Sequence, residues 1–436
     1  MATKQTELVR LLFCDASGGR RCRVIPKETY MTSQGIGITK AVMGLPSFED
    51  VVVKNGGVDA VGEVRLIGDP NTLVRLPWSQ FSYFALCNMY THDKNIWELC
   101  PRGVLMQSIE QFKKEFQLEL DVGYEIEFLL INQDGTPLNN YLYGSSTAYE
   151  EASVVIEEIY HSLLEMGIEV DQLHKESAPG QYEIVLHYGP VLSLCDKLLL
   201  AREVITAIAL RHKLKVSFIP KASVTAAGNG NHVHVSFRKI GFPENVFPDT
   251  NEKYGISKLG QFFMAGILKH LQVLTNFTVP SPNSFSRLKP SCWSGAFVCW
   301  GLDNREAPVR LTSTGENGQP TNFELKLMDA SANPYVAMAA LLTSGMDGLR
   351  SQLSLPDPVC IDPAGIKEEE RNKKGIIMLP QTIGEAVKML EKGEGDIFRE
   401  ALGPALVKLW IAVRKREGEV FDERFELQIT ELFYKF

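Results

Sequence analysis

Two glutamates stand two residues apart in Gly123-Tyr-Glu125-Ile-Glu127-Phe-Leu-Leu-Ile131, an otherwise apolar, β-prone run. On a strand they share one face, while Tyr124, Ile126 and Phe128 take the other. Two carboxylates side by side in a half-buried sheet repel each other and lose hydration, a cost that cations offset. The pattern returns three times. Glu183 sits in Tyr182-Glu-Ile-Val185, with Glu176 seven residues earlier; His232 and His234 share a face of His-Val-His-Val; Glu324 and Lys326 share a face of Phe323-Glu-Leu-Lys-Leu327. If these strands line one sheet, their polar faces form a funnel of carboxylates and imidazoles. Oxygen-rich sites with one nitrogen suit magnesium or manganese better than zinc. Two such ions would clamp a transferring phosphoryl group.

Each piece alone has a plainer reading. A Glu-x-Glu strand can be a solvated outer face, and a His-x-His pair can be exposed or structurally bonded. Repetition over four strands favours a site. So does the turn Gly228-Asn229-Gly230 leading into the histidines, where glycine permits close backbone approach. Arg287 in Asn283-Ser-Phe-Ser-Arg-Leu288, and Arg305 and Arg310 in Asp303-Asn-Arg-Glu-Ala-Pro-Val-Arg-Leu311, add guanidinium groups that match carboxylate and phosphate oxygens bidentately. Their plainer reading is a set of surface salt bridges. A metal clamp with an arginine cluster implies a nucleotide and an anionic co-substrate.

Strands and helices must hold these groups. Leu8 to Asp15 and Arg21 to Ile25 flank Ala16-Ser-Gly-Gly19 as a hairpin, and Val61 to Ile67 and Thr72 to Leu76 flank a second turn at Gly68-Asp-Pro-Asn71. Cys100-Pro101-Arg102 opens an amphipathic helix to about Glu119. Next come a helix at Tyr149 to Met166, with Val154, Ile159, Leu163 and Leu164 as its apolar face, a strand at Gln181 to Leu186, and a helix at Leu192 to Leu214. A strand at Asn231 to Phe237, a helix at Ser257 to Thr275, a strand at Asn322 to Met328 and a helix at Pro334 to Arg350 follow. Pro356 to Lys374, rich in Pro, Glu and Lys, reads as a surface loop, and helices at Ile383 to Glu391 and Gly395 to Arg416 close the chain.

At 436 residues the chain is too long for one ordinary core. A net charge of -8 leaves no footprint for nucleic acid or an anionic membrane surface. Its eight cysteines form no CxxC pair, which fits reduced thiols better than disulfides or a zinc site. The start, Met1-Ala-Thr-Lys-Gln-Thr-Glu7, lacks the apolar core of a signal peptide, and no apolar run approaches a bilayer's thickness. The expected address is the cytoplasm, with no membrane or nucleic-acid partner.

In their order these segments resemble the glutamine synthetase family: Tyr-Glu125-Ile-Glu127-Phe, Glu176 with Gly180-Gln-Tyr-Glu183, Gly228-Asn-Gly-Asn-His232-Val-His-Val-Ser236, Asn283-Ser-Phe-Ser-Arg287, Asn304-Arg-Glu-Ala-Pro-Val-Arg310, Phe323-Glu324 and Ser331-Ala-Asn-Pro-Tyr335. The likeness spans nearly the whole chain. It is nearest to the type I-like branch that forms the C-terminal half of fluG-type and nodulin-like proteins, whose amidohydrolase half has no counterpart in this sequence. The resemblance implies an α+β fold: a small N-terminal β-grasp domain over residues 1–104, then a glutamine synthetase/guanido kinase-type α/β catalytic domain over 105–436. It implies ATP and two or three magnesium or manganese ions as cofactors, glutamate and an amine as substrates, and a homo-oligomer of stacked rings, a decamer or dodecamer.

Carried over residue by residue, the resemblance gives Glu127, Glu176 and Glu183 to a first metal and Glu125, His232 and Glu324 to a second, which faces the nucleotide phosphates. Arg287 would grip the α-carboxylate of glutamate, and Gly228 would meet the amino acid through its backbone. Arg305 and Arg310 would stabilise the transferring phosphoryl group. His234 and Ser236 would lie beside the nucleotide, with Lys221 in the ATP region. ATP would convert the glutamate side chain, a poor electrophile, to an acyl phosphate that an amine attacks.

Departures from the family pattern bear on the amine. After the Asn-Ser-x-x-Arg motif the family carries a glutamate that helps to bind ammonium; this chain reads Lys289-Pro-Ser-Cys-Trp293-Ser-Gly, with Trp293 in its place. The aspartate of an N-terminal loop is matched by Thr39. Ala222 stands where a proline is usual, and Asn322 and Lys326 where arginines are common, so the fork of the guanidinium is lost. The sequence thus points to an ATP-dependent ligase joining the γ-carboxylate of glutamate to an amine bulkier than ammonium, with Trp293 as a stacking or cation-π surface. Trp293 as mere loop packing is the alternative for that residue. Two other readings are a glutamine synthetase using ammonium and a catalytically weak, ring-forming structural or regulatory member; retention of all six metal ligands counts against the last.

Overall fold

The computed structural model describes residues 6–313, 315 and 318–436; residues 1–5, which carry most of the polar start, lie outside them. The chain begins with β1 (Leu8–Cys14), β2 (Arg20–Pro26), α1 (Lys27–Thr32), β3 (Ile36–Thr39), β4 (Glu63–Gly68), β5 (Val74–Arg75) and β6 (Ser82–Tyr90). Together the strands form a six-stranded sheet in the order β2-β1-β6-β4-β3, with β5 also on β6. The hairpin expected around Ala16 to Gly19 is present, pairing Leu8 with Pro26 through Cys14 with Arg20. The second expected hairpin is not. β4 and β5 both pair with β6, at Cys87 to Tyr90 and at Tyr83 to Phe84 respectively, because that nine-residue strand accommodates two short partners in succession.

Next come α2 (Pro101–Phe116), β7 (Leu118–Ile131), α3 (Ser146–Glu165), β8 (Val170–Lys175), β9 (Gln181–Leu186), β10 (Gly189–Pro190), α4 (Val191–Arg211), β11 (Lys215–Ser217) and β12 (Val233–Lys239). After α5 (Lys258–Thr278) follow β13 (Trp300–Leu302), β14 (Val309–Thr312), β15 (Asn322–Leu325), α6 (Pro334–Ser351), α7 (Glu368–Lys373), α8 (Ile383–Glu391), α9 (Asp396–Leu402), α10 (Pro404–Phe421) and α11 (Phe425–Leu432). The second sheet has nine strands in the order β13-β14-β15-β12-β7-β9-β8, with β10 and β11 also on β7. Its centre is β7, the fourteen-residue strand that carries Glu125 and Glu127. Tyr124, Ile126 and Phe128 are fully buried on its other face.

Local chemistry sets several boundaries. Pro101 opens α2 behind Cys100, whose sulfur accepts from Gly103 N, and Gln117 ends it in the left-handed conformation. The expected helix end at Glu119 therefore falls inside β7. Ile159 and Leu163 of α3 are buried as expected, whereas Val154 is 69% exposed and Leu164 also faces solvent. Residues 148, 152, 155, 156 and 159 make the inner stripe instead. The expected helix from Gly395 to Arg416 is broken in two at Gly403, whose φ of 91° is closed to a helix and is followed by Pro404 at the start of α10. The stretch expected as a loop, Pro356 to Lys374, contains α7, with three glutamates in its first turn and basic residues in its last. The short helix α11 gave no clear signal.

A buried polar junction ties the first sheet to the helices α2, α4 and α6, of which α2 and α4 pack on β7 of the second sheet. Arg102 on α2 reaches Asp196 on α4 at 3.0 and 2.8 Å, Asn88 on β6 at 3.2 Å and Asp69 at 2.9 Å, and the Tyr335 hydroxyl donates to Asp196 at 2.6 Å. Among the described residues no helix is long and apolar enough to cross a membrane, and all eight cysteines are free thiols.

Candidate active site

The polar faces of β7, β8, β9, β12, β14 and β15 look into one cavity of about 1240 Å³. Lining it are Glu125, Glu127, Glu176, Glu183 and Glu324, Lys221 and Gly228, His232, His234 and Ser236, Arg287, Arg305 and Arg310, Trp293 and Lys326, whereas Thr39, at the end of β3, is not among its walls. Strand register explains the convergence. Glu127 stands directly opposite Glu183, His174 opposite Glu183, and Glu324 lies between His234 and Arg310 on its two neighbouring strands. With a side-chain period of two, one register fixes the whole funnel.

On one side of the funnel, His232 Nδ1 lies 2.9 Å from Glu125 Oε2 and 3.1 Å from Glu324 Oε1, and His234 Nε2 lies 2.9 Å from Glu125 Oε1. His234 Nδ1 meets Asn322 Oδ1 at 2.8 Å. Lys326 Nζ reaches Glu324 Oε1 at 3.1 Å. Arg310 Nε stands 2.6 Å from Glu324 Oε2, yet neither atom has a hydrogen-bond partner of good geometry. On the other side, Glu127 Oε2 accepts from Gln181 Nε2 and Gly230 N, both at 3.0 Å. His174 Nε2 sits 3.1 Å from Glu176 Oε1, and its Nδ1 3.8 Å from Glu183 Oε1.

The electrostatics differ between the two sides. Burial alone would lift the Glu125 carboxyl, but hydrogen bonds from His232 and His234 hold it below the usual carboxylate range. Burial acts likewise on Glu324, and Lys326, His232 and Arg310 hold that carboxyl well below. Lys326 relieves Glu183 too little. Burial and repulsion from Glu125, Glu127 and Glu176 push it well above, and burial also raises Glu127, against the pull of His232. Burial opposes ionisation of Glu176, but His174 and the Ser177 amide prevail and lower it. Both site histidines are lowered by burial and raised more strongly by their carboxylate neighbours.

The donor set fits divalent cations. Ligand atoms of Glu125, His234 and Glu324 lie within 4.8 Å of one another, as do those of His174, Glu176 and Glu183. Crowded carboxylates facing each other across β7 and β9 are the arrangement that a hard cation relieves. The first group joins His234 to Glu125 and Glu324, two of the residues expected around the second metal, while His232, the third, contacts both carboxylates at 2.9 and 3.1 Å outside the group. The second group adds His174, which sequence reasoning missed although it stands two residues before Glu176, the spacing that puts both side chains on one face of a strand. Gln181, which donates to Glu127, to Gly228 O at 2.8 Å and to Asn229 Oδ1 at 2.8 Å, was also missed.

Arg287 is 3% exposed and anchored by Lys326 O at 3.0 Å, Met328 O at 3.4 Å and His232 Nε2 at 3.1 Å. The glycine turn makes this possible. A Cβ on Gly230 would meet His232 Nε2 at 2.3 Å and Arg287 Nη2 at 2.9 Å, and one on Gly228 would meet Pro220 O at 2.6 Å. Lys221 lies on the same side, its Nζ donating to Ala226 O at 2.6 Å, and burial lowers its pKa. Arg305 and Trp293 are exposed at the rim, Trp293 by 61%.

A family model, the catalytic domain of glutamine synthetase, matches residues 98–432. Type-1 glutamine synthetase 1 of Dictyostelium discoideum is 30% identical over 98% of this chain and 90% of its own length. Gamma-glutamylpolyamine synthetase GlnA3 of Streptomyces coelicolor is 31% identical over 94% of this chain and 89% of its own. Glutamine synthetase of Pyrococcus abyssi is 30% identical over 98% and 93%. Among solved structures, a novel glutamine synthase homolog superposes with a TM-score of 0.87 at 26% identity, covering 99% of both chains, and the GmaS/ADP complex with 0.84 at 25%, covering 97% and 95%. Alike along nearly its whole length in both sequence and fold, the chain belongs to the glutamine synthetase family and is an ATP-dependent glutamate-amine ligase.

Proposed function

We propose that the chain joins the γ-carboxylate of glutamate to a primary amine larger than ammonium, through γ-glutamyl phosphate. One observation carries the reading: an exposed indole, Trp293, stands at the rim of the cavity, and by resemblance of the loop after Asn-Ser-x-x-Arg it takes the place of the family's ammonium-binding carboxylate. Indole cannot balance the charge of ammonium as a carboxylate does, but its face suits an alkyl, aryl or cationic amine. The likeness to a gamma-glutamylpolyamine synthetase supports this reading.

The residues divide the work. Arg287, fixed by two backbone carbonyls, holds the α-carboxylate of glutamate so that its γ-carboxylate faces the nucleotide. Divalent cations held by Glu125, His232, His234 and Glu324, and by Glu127, His174, Glu176 and Glu183, would supply positive charge to the phosphate oxygens. Arg310, whose Nε stands 2.6 Å from Glu324 Oε2, and Arg305 at the rim take up charge on the phosphoryl group as the γ-carboxylate oxygen attacks the γ-phosphorus and ADP leaves. The amine nitrogen then attacks the acyl carbon, phosphate departs, and the nitrogen gives up a proton. Gly228, Lys221, His234 and Ser236 complete the walls around amino acid and nucleotide.

The test is ADP release with glutamate and a panel of ammonium, methylamine, putrescine, spermidine, benzylamine and aniline. At least one organic amine is expected to exceed ammonium in kcat/KM by about tenfold or more, the scale of one good apolar or cation-π contact. Preference for ammonium over the whole panel would return the chain to glutamine synthesis.

A further inference from the structure

The segment 291–295 holds a shape its own residues resist. Ser291 and Trp293 stand at φ of 57° and 56°, a left-handed region that bulky side chains avoid. With its ring largely in solvent, Trp293 gains little from packing. Polar contacts hold the segment instead. Ser294 Oγ donates to Arg287 O at 2.6 Å, Ser291 Oγ to Asp362 Oδ2 at 3.3 Å, and the Trp293 amide to Glu306 Oε1 at 3.2 Å. Gly295 lies so near Pro308 that a Cβ there would meet its nitrogen at 2.6 Å.

Of these contacts only the one to Glu306 acts on Trp293 itself. Burial raises the Glu306 carboxyl, and the amides of Trp293 and Ser291 draw it back toward ionisation. Glu306 is anchored in turn. Its N–H donates to Asn304 Oδ1 at 3.0 Å, while Asn304 Nδ2 donates to Val359 O and Ile361 O at 2.8 and 3.1 Å. Arg305 lies between these two residues and lines the cavity, whereas Glu306 does not. One short stretch thus carries the rim arginine and, through Glu306, the indole.

We infer that Glu306 is a positioning residue that holds Trp293 over the amine end of the cavity and so sets which amines are accepted. The inference rests on the proposed reading of Trp293. It links the amine surface to the arginine stretch, so a shift of one moves the other.

Three variants, E306A, E306Q and W293A, separate the possibilities. In hydrogen exchange of the intact protein, E306A is expected to speed exchange across 289–295, whereas E306Q, whose amide oxygen still accepts, stays near wild type. With putrescine and benzylamine as probe amines, E306A is expected to raise the KM of the better probe by about tenfold, the loss of one hydrogen bond to a charged group, with KM for glutamate unchanged. Unchanged exchange in E306A overturns the inference, and so does an equal rise in KM for glutamate or equal damage by E306Q. W293A keeps the two ideas apart. If it leaves both probe amines unaffected, the reading of Trp293 fails; if it weakens them while E306A does not, Glu306 alone is wrong.

Discussion

At the scale of single residues, the acidic and basic groups of the site were legible because their neighbours are apolar. A glutamate inside Tyr-Glu-Ile-Glu-Phe is out of place unless something compensates it. His174 escaped notice because its strand, Val170–Lys175, carries Asp171, Gln172 and Lys175 as well, so no single polar residue stands out. The structure shows it bonded to Glu176 and facing Glu183. Histidine beside a metal-binding carboxylate either ligates the ion or orients the carboxylate that does. His174→Ala is therefore expected to weaken binding of manganese by about 10- to 100-fold, measured by calorimetry on the cation-free enzyme. Wild-type affinity in that variant would make His174 a bystander.

Among elements, the second sheet works as a device for crowding charge. β7 and β9 set Glu127 against Glu183, and both carboxyls lie above the ordinary 4.5 because burial disfavours their ionised forms. A carboxyl raised on folding lends stability that is fully present below its unfolded pKa and is lost as pH climbs through the folded value. His232 and His234, raised from 6.5, likewise lose their contribution as pH climbs. Glu125, Glu176 and Glu324 have the opposite sign: their contribution is lost as pH falls and is essentially complete above about pH 5.5. Between about pH 6 and 8 every remaining change in this set is a loss. The cation-free protein is expected to show a Tm that falls across this window, and saturating magnesium or manganese, which binds ionised ligands, should raise Tm more at pH 8 than at pH 6. Parallel Tm curves with and without the ion would refute the crowded-carboxylate account.

For the whole molecule, what the sequence made legible and what it did not follow from range. Periodicity located most of the long helices and the strands that carry the site, and motif order located the site, since both are local patterns, whereas the nine-residue β6 was not read from the sequence. Which strand pairs with which is not local: nothing in Val61 to Leu76 tells that β4 and β5 share β6 rather than each other. The junction around Arg102 is a contact of the same long-range kind, and it was invisible for that reason. Residues 69, 88, 102, 196 and 335 meet there from the first sheet, the turn after β4 and three helices. Burial pushes the Asp196 carboxyl up, and Arg102 is its main counterweight. Side chains of both residues are nearly inaccessible, at 4% and 8% exposure, so water cannot replace a lost partner. Arg102→Ala is expected to cost roughly 3–5 kcal/mol, the penalty for stranding one member of a buried ion pair, read by denaturant unfolding. Adding Asp196→Asn to an Arg102→Met background removes the stranded charge and should recover much of that loss, since two buried neutral side chains need no ionic partner. An Arg102→Ala variant within about 1 kcal/mol of wild type would place the junction among weak surface pairs and leave the union of the first sheet with the rest of the chain to apolar packing and to contacts such as that of Asn333 Nδ2 with Cys14 O.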